Sequence, residues 1–164
     1  MCGYITGIRK GELTDIQWPQ VDFEADLIAL EPDETKNREG RSVPILTGDM
    51  RDFLLAAKRT RDENWPDSPW VFNREGKKII DFRVSWENAC KQAGVPELKF
   101  HDLRRSAVRN MRRAGVPQVI RMKISGHKTD SMERRYNIVD TEDLGIAKEF
   151  MERRMKMAET VTEV

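Results

Sequence analysis

Two chemically versatile residues lie nine positions apart in the segment GHKTDSMERRYN, which begins at residue 126. They are His127 and Tyr136, and the whole chain contains only two histidines and two tyrosines. A tyrosine is more often a packing residue than a nucleophile, because its phenol has a pKa of about 10 and is protonated at neutral pH. It becomes a nucleophile only where positive charge or a proton acceptor surrounds it. Arg134 and Arg135 directly precede Tyr136 and make this segment basic.

The segment HDLRR supplies a second pair of candidate residues. A helix that begins here projects His101 and Arg104, three positions apart, from one face. A guanidinium donates two parallel hydrogen bonds to phosphate oxygens, and an imidazole can hold or transfer a proton near neutral pH. The pair suits a phosphodiester, although this pattern by itself more often marks a surface histidine beside an arginine.

The segment TGIRKGEL, residues 6–13, adds another arginine near the start of the chain. Gly7 permits a tight turn before a helix, Arg9 lies at the first helical turn, and Glu12 follows three residues later. An ordinary helix start with an i,i+3 charge pair gives the same pattern. The functional alternative is a second guanidinium on the same phosphate. We expect His127, which follows the helix-ending Gly126, to be positioned by the backbone yet exposed.

The positive charge of the chain is concentrated in one region. The formal net charge is only +1, yet residues 101–136 contain ten Lys and Arg residues against three acidic ones, a balance of +7. Such asymmetry points to a polyanionic partner, most often nucleic acid. A solvated helix face is the alternative explanation of a charge run.

Hydrophobic periodicity and capping residues predict a mainly helical domain with one small antiparallel sheet, an α+β fold. Helices are predicted over residues 10–16, 47–64, 82–93, 101–114, 117–125 and 141–159, with a further short helix that includes Tyr136. Thr47 or Asp49 is expected to cap the second of these. Two core-facing sets are predicted: Met50, Phe53, Leu54 and Ala57 on one helix, and Phe82, Val84, Trp86 and Ala89 on another.

Short strands are predicted in three segments before residue 47. VDFEAD, LIALE and RSVPIL have β character, and the polar stretch PDETKNREG separates the last two. This predicts an exposed hairpin loop that carries Lys36, Arg38 and Arg41. A further strand and turn is predicted in WVFNREGKKI.

The size and composition of the chain fit one domain with its own core. No apolar run approaches the length of a membrane span, and the first residues do not form a secretory signal. Cys2 and Cys90 occur in no metal-binding or redox spacing, so we interpret both as reduced thiols of a cytosolic protein.

Together these segments resemble the sequence boxes of the tyrosine recombinases, the phage integrase family. TGIRKGEL resembles the first arginine box, and Glu12 matches the acidic position that helps to hold the active site. HDLRR resembles the HxxR box, SGHKTDSMERRYNI the box with the nucleophilic tyrosine, and ETKNREGRSVPI the β-hairpin with the catalytic lysine. The boxes follow the family's order and spacing from residue 6 to residue 138. The catalytic set implied by the resemblance is Arg9, Lys36, His101, Arg104, His127 and Tyr136.

The resemblance implies an enzyme that cuts and rejoins double-stranded DNA without a metal or other cofactor. Tyr136 would attack a phosphodiester, form a 3′-phosphotyrosine bond and release a 5′-hydroxyl. Lys36 would protonate the leaving 5′-oxygen. The partner strand's 5′-hydroxyl would then reverse the step, so the energy is kept in the covalent bond.

The remaining residues of the set would act on the phosphate. Arg9 and Arg104 would clamp its oxygens, His101 would act as general base or hydrogen-bond partner, and His127 would donate to a non-bridging oxygen. Other arginines are candidates for contact with DNA phosphates, namely Arg38, Arg41, Arg105, Arg134 and Arg135.

The resemblance also implies an organisation of the chain. Residues 1–140 would form the catalytic domain, and residues 141–164 a C-terminal helix and tail that packs on a neighbouring protomer or folds back on its own domain. Full-length members place a DNA-binding domain first, so we expect an isolated catalytic domain that binds DNA weakly. Members form a tetramer on DNA, and we expect a cytoplasmic, nucleoid-associated protein encoded by a bacterium, a phage or another mobile element.

Two other functions remain open at this point. A DNA topoisomerase of the related tyrosine class shares the chemistry but does not bring two sites together. A DNA-binding or regulatory module derived from an integrase would keep these residues without using them.

Overall fold

The structure, a computed structural model, describes residues 1–30, 40–127, 129 and 141–162. The helices in this part of the chain are α1 (Cys2–Thr6), α2 (Lys10–Asp15), α3 (Asp49–Asn64), α4 (Arg83–Gln92), α5 (Asp102–Arg113), α6 (Gln118–Ser125) and α7 (Thr141–Thr162). The strands are β1 (Val21–Asp22), β2 (Leu27–Leu30), β3 (Arg41–Pro44), β4 (Asn73–Arg74) and β5 (Lys77–Lys78). The predicted fold class, mainly helical with a small antiparallel sheet, is confirmed.

The larger sheet pairs β1, β2 and β3 in that order, with every neighbouring pair antiparallel. Ile28 on β2 lies opposite Val43 on β3, and both are buried together with Leu30. The alternation of buried and exposed residues along β2 places one face of the sheet on the core. The rest of this core comes from the loops and helices on either side, as Ile8, Leu13, Ile16, Ile45, Met50, Leu54 and Val71.

Helix packing brings distant segments of the chain to one place. The short helix α1 packs along α5, and α6 packs on both β3 and α5. The turn after α1, the N-terminal turns of α2 and α5, and the C-terminal end of α6 therefore meet beside the start of β3. The described residues of the three arginine- or histidine-bearing segments recognised in the sequence include Arg9, Arg104 and His127, which lie at this junction.

Two details of the helix predictions are wrong. Neither Thr47 nor Asp49 caps α3, because Gly48 occupies the N-cap position with a positive φ of 78°. Phe53 is 45% exposed, while its neighbours Met50 and Leu54 form the buried contacts of this helix.

The core-facing side of α4 is also predicted incorrectly. Val84 is 64% exposed and Ala89 is exposed, whereas Cys90 is buried. The helix is held by edge-to-face contacts of its aromatic residues with Phe100, at 5.1 Å from Phe82 and 5.3 Å from Trp86. The helix therefore packs through a few large rings and not through a continuous apolar stripe.

The C-terminal helix α7 is attached at its start. Asp143 in its first turn pairs with Arg112 and Arg113 at the end of α5, and the Arg113 Nε–Asp143 Oδ1 distance is 3.1 Å. Beyond this anchor Phe150, Met151 and Met155 are all more than 60% exposed. Across the described ranges, no helix combines the length and the apolar character needed to cross a lipid bilayer.

Candidate active site

Arg104 is the most deeply buried arginine among the candidate residues, with 3% of its surface exposed. Its Nη1 donates to the carbonyl of Gly7 at 2.7 Å, and its Nε donates to Nε2 of His127 at 3.1 Å. Gly7 adopts a φ of +67°, and a Cβ at this position would lie 3.2 Å from the Cβ of Ala107. The glycine therefore lets the turn after α1 lie flat on α5, which brings its carbonyl to the Arg104 guanidinium.

His127 lies beside Arg104 in the interior of the site. The sequence-based expectation of an exposed His127 is wrong, since only 6% of the residue is exposed. Its Nδ1 lies 3.0 Å from the hydroxyl of Ser125, which is fully buried at the end of α6. Burial, followed by the positive charges of Arg104 and Arg9, lowers the pKa of His127 to about 4. The imidazole is therefore neutral at physiological pH.

Arg9 is the N-cap residue of α2 and reaches the same junction from the exposed side. Its side chain is 43% exposed, and its Nη1 donates to Glu12 Oε1 at 2.8 Å. Its Nη2 donates to the carbonyl of Gly126 at 2.9 Å, directly before His127. This hydrogen bond joins Arg9 to the residue before His127 across 117 positions of sequence.

Glu12 holds two arginines at once. In addition to Arg9, it accepts a bidentate pair of hydrogen bonds from Arg41, at 2.8 Å and 2.7 Å. Burial raises the pKa of Glu12, but the hydrogen bonds from the Arg41 side chain and the Arg9 backbone outweigh burial and bring the pKa to about 2. Glu12 is therefore ionised at any physiological pH and acts as a fixed negative brace.

Arg41, at the start of β3, extends this brace to the end of α6. Its Nε donates to the carbonyl of Ile124 at 3.1 Å, and a Cβ on Gly126 would come within 2.8 Å of its Cζ. Its side chain is only 12% exposed. These contacts give Arg41 a structural role in the site, and the DNA contact expected from the sequence stays a prediction.

His101 lies at the N-cap of α5 and is exposed at the mouth of the site. Burial of part of the ring lowers its pKa, and the charges of Arg104, Arg105 and Arg9 lower it further. His101 and Arg104 thus differ in depth, although their spacing predicts a shared face. Arg105 points to solvent, with 65% of its side chain exposed, and lies 3.9 Å from Asp102.

Several residues of the predicted set lie outside the described residues. They are Lys36 and Arg38 of the hairpin loop predicted from the sequence, and Arg134, Arg135 and Tyr136, which precede α7 in the sequence. The structure therefore brings together Arg9, Glu12, Arg41, His101, Arg104 and His127 from the sequence-based set. Within the described ranges, His, Cys, Asp and Glu do not form any group of three that could hold a metal ion.

Sequence reasoning missed Ser125 and the contact of Arg41 with Glu12. A small polar residue two positions before His127 was the available signal for the first, because a helix-ending glycine brings the flanking side chains together. The second joins a strand to a helix across 29 positions and has no local signal.

The chain is similar to known proteins of one family. The model of the phage integrase family matches residues 1–143. The integrase of Salmonella phage P22 is 26% identical, with 80% of this chain and 36% of the phage protein covered. The shufflon-specific DNA recombinase of Escherichia coli is 30% identical, with 80% of this chain and 31% of that protein covered.

Solved structures show the same fold. The crystal structure of XerA recombinase superposes with a TM-score of 0.75 at 20% identity, covering 93% of this chain and 56% of that one. The chain spans about a third of the length of the curated relatives that it matches. Because the family match covers most of its residues, the chain belongs to the phage integrase family.

Proposed function

We propose that this chain is the catalytic part of a site-specific DNA recombinase that cuts and rejoins DNA through a 3′-phosphotyrosine intermediate. The observation that carries the proposal is the convergence of Arg9 and Arg104 with two histidines at one junction, from segments far apart in sequence. One guanidinium at the exposed mouth and a second one buried behind it suit a phosphodiester, whose transition state gains negative charge.

In the first step, the phenolic oxygen of Tyr136 forms a bond to phosphorus while the bond from phosphorus to the 5′-oxygen breaks. The phenol proton leaves to a base, and His101 is suited to this role because its lowered pKa keeps it neutral near pH 7. The leaving 5′-oxygen takes a proton from the ammonium of Lys36. The second strand's 5′-hydroxyl then attacks the phosphotyrosine and regenerates the phenol.

The two arginines contribute differently to this step. Arg9 is partly exposed and presents its guanidinium toward incoming phosphate, whereas Arg104 is fixed in the interior by Gly7 and His127. Each preorganised donor of this kind is typically worth about 3–4 kcal/mol of transition-state stabilisation.

Double-stranded DNA is the proposed partner. Solved relatives of this fold include XerH recombinase bound to its difH substrate and the Tn1549 transposon integrase in complex with transposon right end DNA. The proposed phosphate contacts of this chain are Arg38, Arg105, Arg134 and Arg135. The exposed guanidinium of Arg105 beside His101 is the described member of that set.

We further propose that residues 1–140 form the catalytic domain and that residues 141–164 contact a neighbouring protomer in a tetramer on DNA. The exposed apolar residues Phe150, Met151 and Met155 of α7 support this arrangement, because they lie on the surface of the single chain. Replacing all three with Glu should reduce the number of protomers in the DNA-bound assembly, while the rate of cleavage of one half-site should not fall. Analytical ultracentrifugation with labelled DNA measures this, and an unchanged assembly would contradict the arrangement.

The proposed chemistry can be tested without knowing the target sequence. A pool of nicked duplexes with a randomised core is incubated with the protein, and DNA that stays attached after denaturation is recovered and sequenced. Peptide mass spectrometry should map the attachment to Tyr136. The variant Tyr136→Phe should still bind DNA but should form no adduct. An adduct that survives this change would overturn the assignment of the nucleophile.

Two further assays separate the related activities and test the proton donor. The captured sequence, placed twice on one circular DNA, should recombine; relaxation of supercoils without recombination would favour a topoisomerase.

A duplex with a 5′-phosphorothiolate at the cut position should restore cleavage by Lys36→Ala, because sulfur leaves without a proton. Failure to restore it would assign the proton donor to another residue.

A further inference from the structure

A buried serine lies next to the imidazole of the site. Ser125 is the last residue of α6 and has no exposed surface. Its hydroxyl lies 2.7 Å from the carbonyl oxygen of Arg121 and 3.0 Å from Nδ1 of His127. Gly126 ends the helix in the left-handed conformation, so the chain turns back and the backbone N–H of His127 donates to the Met122 carbonyl at 3.0 Å. This turn places the Ser125 and His127 side chains on the same side.

The hydrogen-bond donors around the ring determine where its proton lies. Arg104 is always protonated and its Nε–H points at Nε2 of His127, so the hydrogen bond between them forms only while Nε2 is unprotonated. In a neutral ring the remaining proton is then on Nδ1, which faces the Ser125 oxygen. The serine can accept this proton because its own O–H is directed to the Arg121 carbonyl, which cannot donate. Each donor in this series of hydrogen bonds meets an acceptor. The other neutral tautomer would set the Nε2–H of His127 against the Nε–H of Arg104.

We propose that Ser125 is a positioning residue that fixes His127 as the Nδ1–H tautomer, so that Nε2 accepts from Arg104 and holds that guanidinium in place. The role in catalysis rests on the proposed recombinase function, but the tautomer does not. The depressed pKa of His127 is in accord with a ring that stays neutral among Arg104, Arg9, His101 and Arg41. In the protein without DNA, the Nε2 lone pair of His127 is thus directed at Arg104.

The tautomer can be read directly by NMR. The chain has only two histidines, so a sample labelled with ¹⁵N-histidine gives two sets of ring signals, and His101→Gln identifies the set from His127. At pH 7 the wild-type protein should show His127 with a protonated Nδ1 and an unprotonated Nε2. A protonated Nε2 in the wild-type protein would overturn the proposal without any serine variant.

Substitution of the serine tests its part in fixing the ring. Ser125→Ala should lose the single tautomer and show Nε2–H signal, and it should form the DNA adduct about tenfold more slowly, as expected from loss of a buried hydrogen bond. The matched control is Ser68→Ala, another buried serine, whose hydroxyl has no hydrogen-bond partner among the described residues. This control should keep both the tautomer and the rate.

The measurements separate the two claims. A Ser125→Ala protein that keeps the pure Nδ1–H tautomer, or that cleaves DNA at the Ser68→Ala rate, would overturn the positioning role. If the wild-type protein forms no adduct with any DNA, the proposed recombinase function fails, and the wild-type NMR spectrum still decides the tautomer.

Discussion

The two halves of the site are built in opposite ways. Arg104, Ser125 and His127, here termed the inner group, are at most 6% exposed and are hydrogen-bonded to one another or to backbone carbonyls. Arg9 and His101, here termed the outer group, are exposed at the mouth. The sequence presents Arg9 and Arg104 as equivalent arginines, yet only one of them is part of the interior.

This difference separates two requirements of phosphate chemistry. Buried donors are fixed before the substrate arrives, which avoids reorganisation during the reaction. Under the proposed function, exposed groups would be accessible to DNA and to Tyr136. The inner group should therefore contribute to both stability and catalysis, and the outer group to catalysis with little effect on stability.

Removal of each arginine tests this division most strongly. Arg104→Ala should lower the free energy of unfolding by about 2–5 kcal/mol, because the buried acceptors on Gly7 and His127 lose their donor. Arg9→Ala should lower it by less than about 1 kcal/mol, since its ion pair is exposed. Both should slow adduct formation by about 10²–10³-fold. Urea unfolding and adduct assays measure the two quantities. Equal losses of stability would show that Arg104 does not support the fold more than Arg9 does.

The brace between the two groups should respond to acid. The folded-state pKa of Glu12, about 2, lies below its ordinary value of 4.5, so its stabilisation is present above pH 4.5 and is lost as the pH falls toward 2. Between pH 5 and pH 2, the free energy of unfolding should fall by about 3 kcal/mol more for the wild-type protein than for Glu12→Gln.

The control for this acid response is Asp62→Asn, which removes an exposed carboxylate paired with Lys58. Hydrogen bonds from Lys58 and Arg61 lower the pKa of Asp62, but solvent screens this exposed pair, so that variant should depart from the wild-type pH curve much less than Glu12→Gln does. Parallel curves for wild type and Glu12→Gln, measured by urea unfolding at each pH, would contradict the role of Glu12.

Arg41 should behave as a member of the brace. Arg41→Lys keeps the charge but loses the bidentate contact with Glu12, so adduct formation should slow about tenfold and stability should fall by about 1–2 kcal/mol. The matched variant Arg51→Lys changes an arginine that pairs with Asp26 in the β1–β2 turn. It should leave the adduct rate unchanged, and equal rates for the two variants would assign Arg41 no special part.

The two histidines should titrate separately. His127 should stay neutral down to about pH 4, and partial burial and the charges of Arg104 and Arg105 should lower the pKa of His101 from its ordinary value of 6.5. Since the unfolded chain binds the His127 proton at pH 6.5, this residue makes stability fall as the pH drops from about 7 to 4. An NMR titration measures both rings, and a midpoint for His127 near 6.5 would show that it is not part of the inner group.

The sequence predicted the fold class and the polar residues of the site because both have local patterns. Helix periodicity, the glycines that end helices and each sequence box can all be recognised from a few neighbouring positions. Depth in the fold has no such pattern. The burial of His127 depends on packing of α6 against α5 and β3, and the contact of Arg41 with Glu12 depends on where β3 lies beside α2.

The errors in α3 and α4 have a similar cause. Phe53 and Val84 fit an apolar stripe, but their helices lie at the surface and bury only a narrow line of residues. Helical spacing predicts which residues share a face, and the tertiary fold decides how much of that face is covered.

A duplex with a neutral methylphosphonate at the cut position tests the central claim most directly, namely that the outer arginine serves the phosphate and the inner arginine also serves the fold. Removing the phosphate charge should restore strand cleavage to Arg9→Ala, because charge neutralisation is the function that this variant lacks. It should restore much less to Arg104→Ala, which has also lost its support of His127 and Gly7. Equal restoration of the two variants, or restoration of Arg104→Ala alone, would contradict the account.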